Sequence, residues 1–216
     1  MKHKLNKEYF NIIDTEEKAY WLGFIAADGC VYQMSKTAYR LQINLSLTDI
    51  DHLQKFNDCI ESDYIITTKK VKNSDTCTLK IACKQLTDDL IKYGITPKKS
   101  LIIQMPTLKE ELYRHFIRGY FDGDGCITYN FDYTYPKMTF SIVGGEPMLL
   151  SINEKMNQDL SIYACNHSPA LTMSTAKKDK VINIYHYLYD DCTIYLNRKK
   201  EKFDYLMSRL AEMQGQ

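Results

Sequence analysis

Two aspartates, Asp28 and Asp124, each close a stretch that the chain contains twice. The first copy is Trp21-Leu22-Gly23-Phe24-Ile25-Ala26-Ala27-Asp28-Gly29 and the second is Ile117-Arg118-Gly119-Tyr120-Phe121-Asp122-Gly123-Asp124-Gly125. They stand 124 − 28 = 96 residues apart, and both continue into a cysteine (Cys30, Cys126) and a β-branched residue (Val31, Ile127). A carboxylate in the last turn of a helix faces the negative end of the dipole and is disfavoured by up to about 1 kcal/mol. Two such groups brought together repel further. A divalent cation between them reverses that penalty, and hard oxygen ligands suit Mg²⁺. The bland alternative, two solvated helix ends before turn glycines, explains one copy better than it explains two.

The elements that must position these acids follow from the flanking residues. Asp14 with Glu17, and Thr107 with Glu110, have capping-box spacing and predict helix starts. Gly29 and Gly125 are expected to end the helices in the left-handed conformation. Gly23 with Ala27, and Gly119 with Gly123, put small residues four apart on one helical face, where two backbones can approach closely. The two copies are therefore expected to pack against each other, with the chain folding as two halves around that contact.

These two segments resemble the paired motifs of the LAGLIDADG homing endonucleases, in the single-chain form that carries two copies. The resemblance spans roughly residues 14–210. It implies a site-specific double-strand DNA endonuclease in which Asp28 and Asp124 hold divalent metal, Mg²⁺ with Mn²⁺ able to substitute. Ala26 departs from the motif, which has an acid there; the second copy keeps it as Asp122. That position is not the metal-binding one, so the nuclease expectation stands.

Composition bounds the rest. A chain of 216 residues can bury one large core or two of about 100 residues. No run of 18 apolar residues suggests a membrane span, and the basic start Met1-Lys2-His3-Lys4 lacks the apolar core of a signal peptide. Seven cysteines without paired spacing read as free thiols in a reducing, cytoplasmic compartment. Cys77 and Cys83 alternate with Leu79 and Ile81 as core residues, and no Cys-x-x-Cys suggests zinc. The net charge of +1 is low for a DNA binder, so any basic face must come from local distribution.

Along the chain, residues 1–13 form a lead-in whose Tyr9, Phe10, Ile12 and Ile13 are expected to pack on the body. The first half covers 14–100, a linker 101–106 and the second half 107–216. In the first half a helix over 15–28 precedes a hairpin closed by Ser35 to Ala38, whose second strand alternates strictly: Leu41, Ile43 and Leu45 inward, Arg40, Gln42, Asn44 and Ser46 outward. Thr48-Asp49 is expected to cap a helix to about 61. A second hairpin over 64–70 and 76–83 turns at Asn73-Ser74-Asp75, and a helix over 85–93 ends at Gly94. The second half repeats this order: helix 108–124, strands 126–131 and 137–143, helix 146–158, strands 162–166 and 170–175, helix 177–189. A final amphipathic helix carries Phe203, Leu206, Met207 and Leu210. The expected fold class is α+β, two pseudo-symmetric αββαββα halves packed through the motif helices, with antiparallel sheets forming a saddle for DNA.

The polar strand faces suit a two-stranded ribbon in a major groove, where Arg, Gln, Asn and Lys read base edges. Candidate DNA contacts are Arg40, Gln42, Asn44, Ser46, Lys69, Lys80, Lys137, Thr139, Ser141, Thr172 and Ser174. A plain solvated sheet face is the alternative. Hydrolysis needs activated water and charge neutralisation, which metal ions held by carboxylates supply. Asp28 and Asp124 are the expected ligands, with the carbonyls of Ala27 and Gly123 near enough to add coordination. The resemblance also implies a basic residue lining each site, pointing to Lys98 or Lys99 and to Arg198 or Lys199, with Lys99 and Lys199 favoured. Both motifs lie in one chain, so a monomer suffices, no obligate protein partner is expected, and the DNA target should be long and asymmetric. A free-standing or intron-encoded enzyme fits better than an intein. An RNA-binding intron maturase and a non-cleaving DNA-binding protein on the same scaffold are the rival readings.

Overall fold

The computed structural model describes residues 3–36, 38–70, 74–132, 136–164, 168–213. The first half runs α1 (Glu16–Asp28), β1 (Gly29–Ser35), β2 (Ala38–Ser46), α2 (Ile50–Cys59), β3 (Thr67–Lys69), β4 (Thr76–Ile81) and α3 (Lys84–Lys92). The second repeats it as α4 (Tyr113–Asp124), β5 (Gly125–Asn130), β6 (Lys137–Gly144), α5 (Glu146–Met156), β7 (Ser161–Ala164), β8 (Leu171–Thr175) and α6 (Lys178–Tyr189), followed by α7 (Asn197–Glu212). Each half forms one antiparallel four-stranded sheet, ordered β1-β2-β4-β3 and β5-β6-β8-β7. The expected α+β plan of two matching halves is the one observed.

Period-two alternation sets the sheet faces. Leu41, Ile43 and Leu45 of β2, Cys77, Leu79 and Ile81 of β4, and Met138, Phe140 and Ile142 of β6 are buried against the helices. Every residue of α1 from Ala19 to Ala26 is buried, because the helix is apolar on most of its circumference and lies at the centre of the chain. No helix among the described residues is long and apolar enough to cross a membrane.

Several local expectations fail for identifiable reasons. Thr15, not Asp14, caps α1, its hydroxyl accepting from Lys18 N at 3.3 Å. Asp14 instead bonds the Lys18 ammonium at 2.7 Å. Thr107 caps nothing: a 3₁₀ turn over Glu110–Leu112 leads into α4. Asp49 takes the expected N-cap position of α2 but makes no side-chain cap bond there, while Ser46 caps the 3₁₀ turn before it, accepting from Thr48 N. Gly29 and Gly125 have extended backbones, with φ of −81° and −94°, and begin strands directly. Their glycine requirement is steric, since a Cβ on Gly29 would stand 2.6 Å from Ile25 Cγ2 and one on Gly125 2.0 Å from the Phe121 ring. Gly94 does take positive φ, at 86°, as expected of a helix-ending glycine. Ile12 of the lead-in is 62% exposed, whereas Tyr9, Phe10 and Ile13 are buried. Cys83 lies past the end of β4 and is only half-buried. Asn73 lies outside the described residues.

Candidate active site

The small-residue faces of α1 and α4 make the central contact. A Cβ on Gly23 would fall 1.9 Å from Phe116 O, one on Gly119 2.0 Å from Tyr20 O, and one on Gly123 2.3 Å from Ala27 Cβ. Only residues without side chains allow this approach. Asp28 and Asp124 are the last residues of the two helices, so the contact carries both carboxylates to one point. Asp28 Oδ2 stands 3.4 Å from the place a Gly123 Cβ would take.

The electrostatics follow from this convergence. Burial, with a lesser push from the Asp28 charge, raises the Asp124 carboxyl to about 6 against the opposing charges of Lys99 and Lys199. Burial also raises Asp28, opposed by Lys199, Lys99 and Arg198. Both motif helices lack a basic residue in the last turn, so their carbonyl ends need cations from elsewhere. Lys99 and Lys199 supply them. Lys99 is 4% exposed and donates to Ala27 O at 3.4 Å. Lys199 is 7% exposed and donates to Phe121 O at 2.8 Å, to Gly123 O at 3.2 Å and to Gly125 O. Burial lowers the pKa of both amines.

The adjacent basic residues go elsewhere. Lys98 is exposed, with a left-handed backbone at φ 61°. Arg198 reaches across to the first half, its Nε donating to Asp49 Oδ1 at 2.9 Å and Oδ2 at 3.0 Å.

Two buried polar residues of α4 fix the segment that delivers Arg198 and Lys199. Asp122 is fully buried and accepts from Tyr20 Oη at 2.8 Å, Tyr189 Oη at 2.9 Å and Leu196 N at 2.7 Å. Arg118, also fully buried, donates to Ile194 O and Leu188 O at 2.9 Å each and to Glu16 Oε1 at 2.6 Å. Their counterparts in α1, Leu22 and Ala26, are apolar and buried. The missing acid at Ala26 thus removes a scaffold contact on one side and leaves the carboxylate pair intact. Sequence reading found Asp122 only as a motif letter and missed the tertiary pairings of Arg118, Glu16 and Asp49, because these partners are 70 to 177 residues away.

Oxygen donors of this kind fit Mg²⁺. Among the described residues no group of three or more His, Cys, Asp or Glu gathers to hold a metal. Two carboxylates with carbonyls beside them suit a cation that keeps much of its shell as water and phosphate oxygen. The Asp124 pKa is raised mainly by burial and next by the charge of Asp28, and a cation held between the two acids would relieve both. The carbonyls of Ala27 and Gly123 already accept lysine ammonium groups, so the carboxylates are the stronger candidates for ligands.

The sheet registers array the outward residues in rows beside the acids. Cys30, Gln42 and Lys80 lie side by side across β1, β2 and β4. Cys126, Ser141 and Ser174 form the matching row across β5, β6 and β8. Arg40, Gln42, Thr139, Ser141 and Ser174 are half-buried, and Asn44, Ser46, Lys69, Lys80 and Lys137 are exposed. Asn44 accepts from its register partner Thr78 at 2.6 Å, and Ser174 donates to Tyr163 Oη at 3.2 Å. Thr172 is 7% exposed, flanked in register by Val143 and Tyr163, which leaves it little surface for a contact. Outward positions of β1 and β5 were overlooked: Cys30, Tyr32, Cys126, Thr128 and Asn130. Alternation from the inward Val31 and Ile127 could have found them.

No protein-family model matches the chain, and no curated protein sequence does. Solved structures do resemble it. The LAGLIDADG homing endonuclease I-GzeII, in complex with its DNA target, matches with a TM-score of 0.68 at 13% identity over 91% of each chain. The LAGLIDADG meganuclease I-AabMI, bound to uncleaved DNA, matches with a TM-score of 0.67 at 12% identity over 94% of this chain and 92% of that one. The LAGLIDADG homing endonuclease I-SmaMI, bound to cleaved DNA, matches with a TM-score of 0.60 at 14% identity over 94% and 91%. At such identities the likeness is one of fold, and it extends over both halves.

Proposed function

We propose that this chain, which has the fold of the LAGLIDADG homing endonucleases, is a site-specific endonuclease that hydrolyses both strands of a long, asymmetric DNA duplex with Mg²⁺. One observation carries the reading: the ends of two repeated motifs bring Asp28 and Asp124 to a single point, with a buried lysine at each helix end. A structural duplication alone has no need to converge two carboxylates that repel one another.

In this mechanism Asp28 and Asp124 would hold Mg²⁺, or Mn²⁺ in its place, with the Ala27 and Gly123 carbonyls beside them. Bound there, the cation would polarise the scissile phosphate and acidify its water. Lys99 and Lys199 place fixed positive charge where negative charge grows on the phosphate. Their carbonyl contacts hold the ammonium groups in position before substrate arrives. The outward rows of Arg40, Gln42, Lys80, Lys137, Thr139 and Ser141 read and position the duplex. The two rows differ, Gln42 and Lys80 against Ser141 and Ser174, so each half recognises a different half-site as a monomer binds.

The test is cleavage of a library of long random duplexes with Mg²⁺, beside the Asp28→Asn/Asp124→Asn double variant. Discrete double-strand cuts at related sequences, absent in the variant, support the reading. Selective binding without cuts redirects it to a DNA-binding protein, and binding of structured intron RNA alone redirects it to a maturase.

A further inference from the structure

The outward row that begins beside Asp124 does not end at Ser174. Register carries it from Cys126 through Ser141 and Ser174 to Ser161 on β7, the edge strand of the second sheet. Three strand spacings put Ser161 roughly 14 Å from Cys126. Here the sheet face opens into a groove of about 650 Å³, lined by Ser161, Tyr163, Ser174, Lys177 and Lys180.

The donors in this groove are those that bind phosphate oxygens. Lys180 is anchored at its wall, donating to Asp159 O at 2.5 Å, while the Asp159 carboxylate is fully exposed and 3.9 Å away, a pairing worth little. Lys177 is exposed and has no carboxylate within ion-pair distance among the described residues. Ser174 donates to Tyr163 Oη at 3.2 Å, which leaves the proton of that half-exposed phenol for an acceptor from outside. Lysine, serine and tyrosine position a duplex by its backbone, and the groove offers no Arg, Asn or Gln to read a base edge. Nor does the fold call for these cations. Lys177 and Lys178 stand at the N-terminus of α6, where positive charge opposes the dipole and Asp179 alone in that turn offsets it. The counterpart helix α3 has Cys83 at its N-cap, and its Lys84 is paired with Asp88 at 2.5 Å. The second half thus presents a bare cation where the first presents none.

We propose that this groove grips a backbone phosphate of the duplex beyond the base-contacting rows, through Lys177, Lys180 and the Tyr163 hydroxyl. The footprint of the chain therefore reaches further over the second half-site than over the first. This rests on the DNA-binding part of the reading above and needs no cleavage.

The experiment measures binding of the full chain at a series of salt concentrations, on a site recovered with the wild-type chain, with phosphate-ethylation interference on the same duplex. Lys177→Gln, at an exposed side chain that folding tolerates, should weaken binding several-fold, alike on all single-base variants of the site. It should lower the salt slope by about 1 and abolish interference at the outermost phosphates of one half-site only. Tyr163→Phe, which keeps the ring, should weaken binding less and at the same phosphates. Lys84→Gln, at the start of α3, should change neither slope nor interference. An unchanged slope for Lys177→Gln, a loss of interference at the centre of the site, or relaxed choice at a base pair overturns the inference and leaves the endonuclease reading standing. A wild-type chain that neither binds nor cuts any duplex selectively overturns both.

Discussion

The hydroxyl of Tyr20, on α1, donates to the carboxylate of Asp122, on α4, at 2.8 Å inside the helix contact. The same carboxylate accepts from Tyr189 and from Leu196 N. One buried acid thereby joins the two motif helices to α6 and to the start of α7, which carries Lys199.

Replacing Asp122 strands three donors in a buried setting. Leaving buried donors unpaired costs on the order of 3 kcal/mol. Asp122→Ala should lower the unfolding free energy by that amount and shift the urea midpoint down accordingly. Asp122→Asn, which can still accept, should lose less. Equal losses in the two would mean that shape, not hydrogen bonding, carries the effect.

Gly119→Ala puts a Cβ where Tyr20 O lies 2.0 Å away, and no flexible side chain can yield. Overpacking of this kind costs about 3 kcal/mol or more. Thermal unfolding should show a lowered midpoint or no soluble protein. Ala27→Gly, on the same face, should lose only about 1 kcal/mol through helix propensity.

The native Asp124 carboxyl titrates near 6, above its ordinary value of 3.8. The folded chain therefore binds this proton more tightly than the unfolded chain. Stability from this group is highest at or below pH 3.8, falls as pH rises to about 6, and is level beyond. The side chain has open surface, so screening limits the effect to on the order of 1 kcal/mol. Without divalent metal, Asp124→Asn should be more stable than the parent at pH 7.5 and indistinguishable at pH 3.5, by paired melting curves.

Lys199 makes three carbonyl contacts at the end of α4, and Lys99 makes one long one at the end of α1. Lys199→Met should therefore destabilise more than Lys99→Met. Each should reduce cleavage by roughly 100-fold with DNA affinity held within a few-fold, as expected for a charge that acts in the transition state. Cleavage and binding titrations on one target separate the two effects.

Lys80 and Gln42 are register partners on the outward face of the first sheet. Lys80→Ala should weaken binding evenly across sequences and lower the salt slope by about 1. Gln42→Ala should instead relax selectivity at one base pair, by about 1–3 kcal/mol. Binding to a panel of single-base variants at two salt concentrations distinguishes a phosphate contact from a base contact.

The repeated small-residue motif and the alternation of Leu41, Ile43 and Leu45 were enough, by themselves, to determine the helix pair, the two sheets and the two halves. These are periodic, local signals, and burial of one face enforces them. Asp28 and Asp124 were legible for the same reason, since each is fixed at the end of its own helix by the residues before it. Lys99 and Lys199 were already favoured over Lys98 and Arg198 on the resemblance. What the structure adds is where the four lie: Lys99 and Lys199 donate to carbonyls at the helix ends, Lys98 is exposed with a left-handed backbone and Arg198 reaches Asp49. Caps were misplaced at Asp14 and Thr107 because several residues of one stretch can cap, and packing selects among them. The extended backbones of Gly29 and Gly125 were hidden because glycine serves both a left-handed turn and a tight side-chain contact. Asp49, Arg118 and the three partners of Asp122 were decided by tertiary structure alone. Pairing across 67 to 149 residues leaves no periodic trace in a chain, and only the tertiary packing of the elements brings those groups within hydrogen-bonding reach.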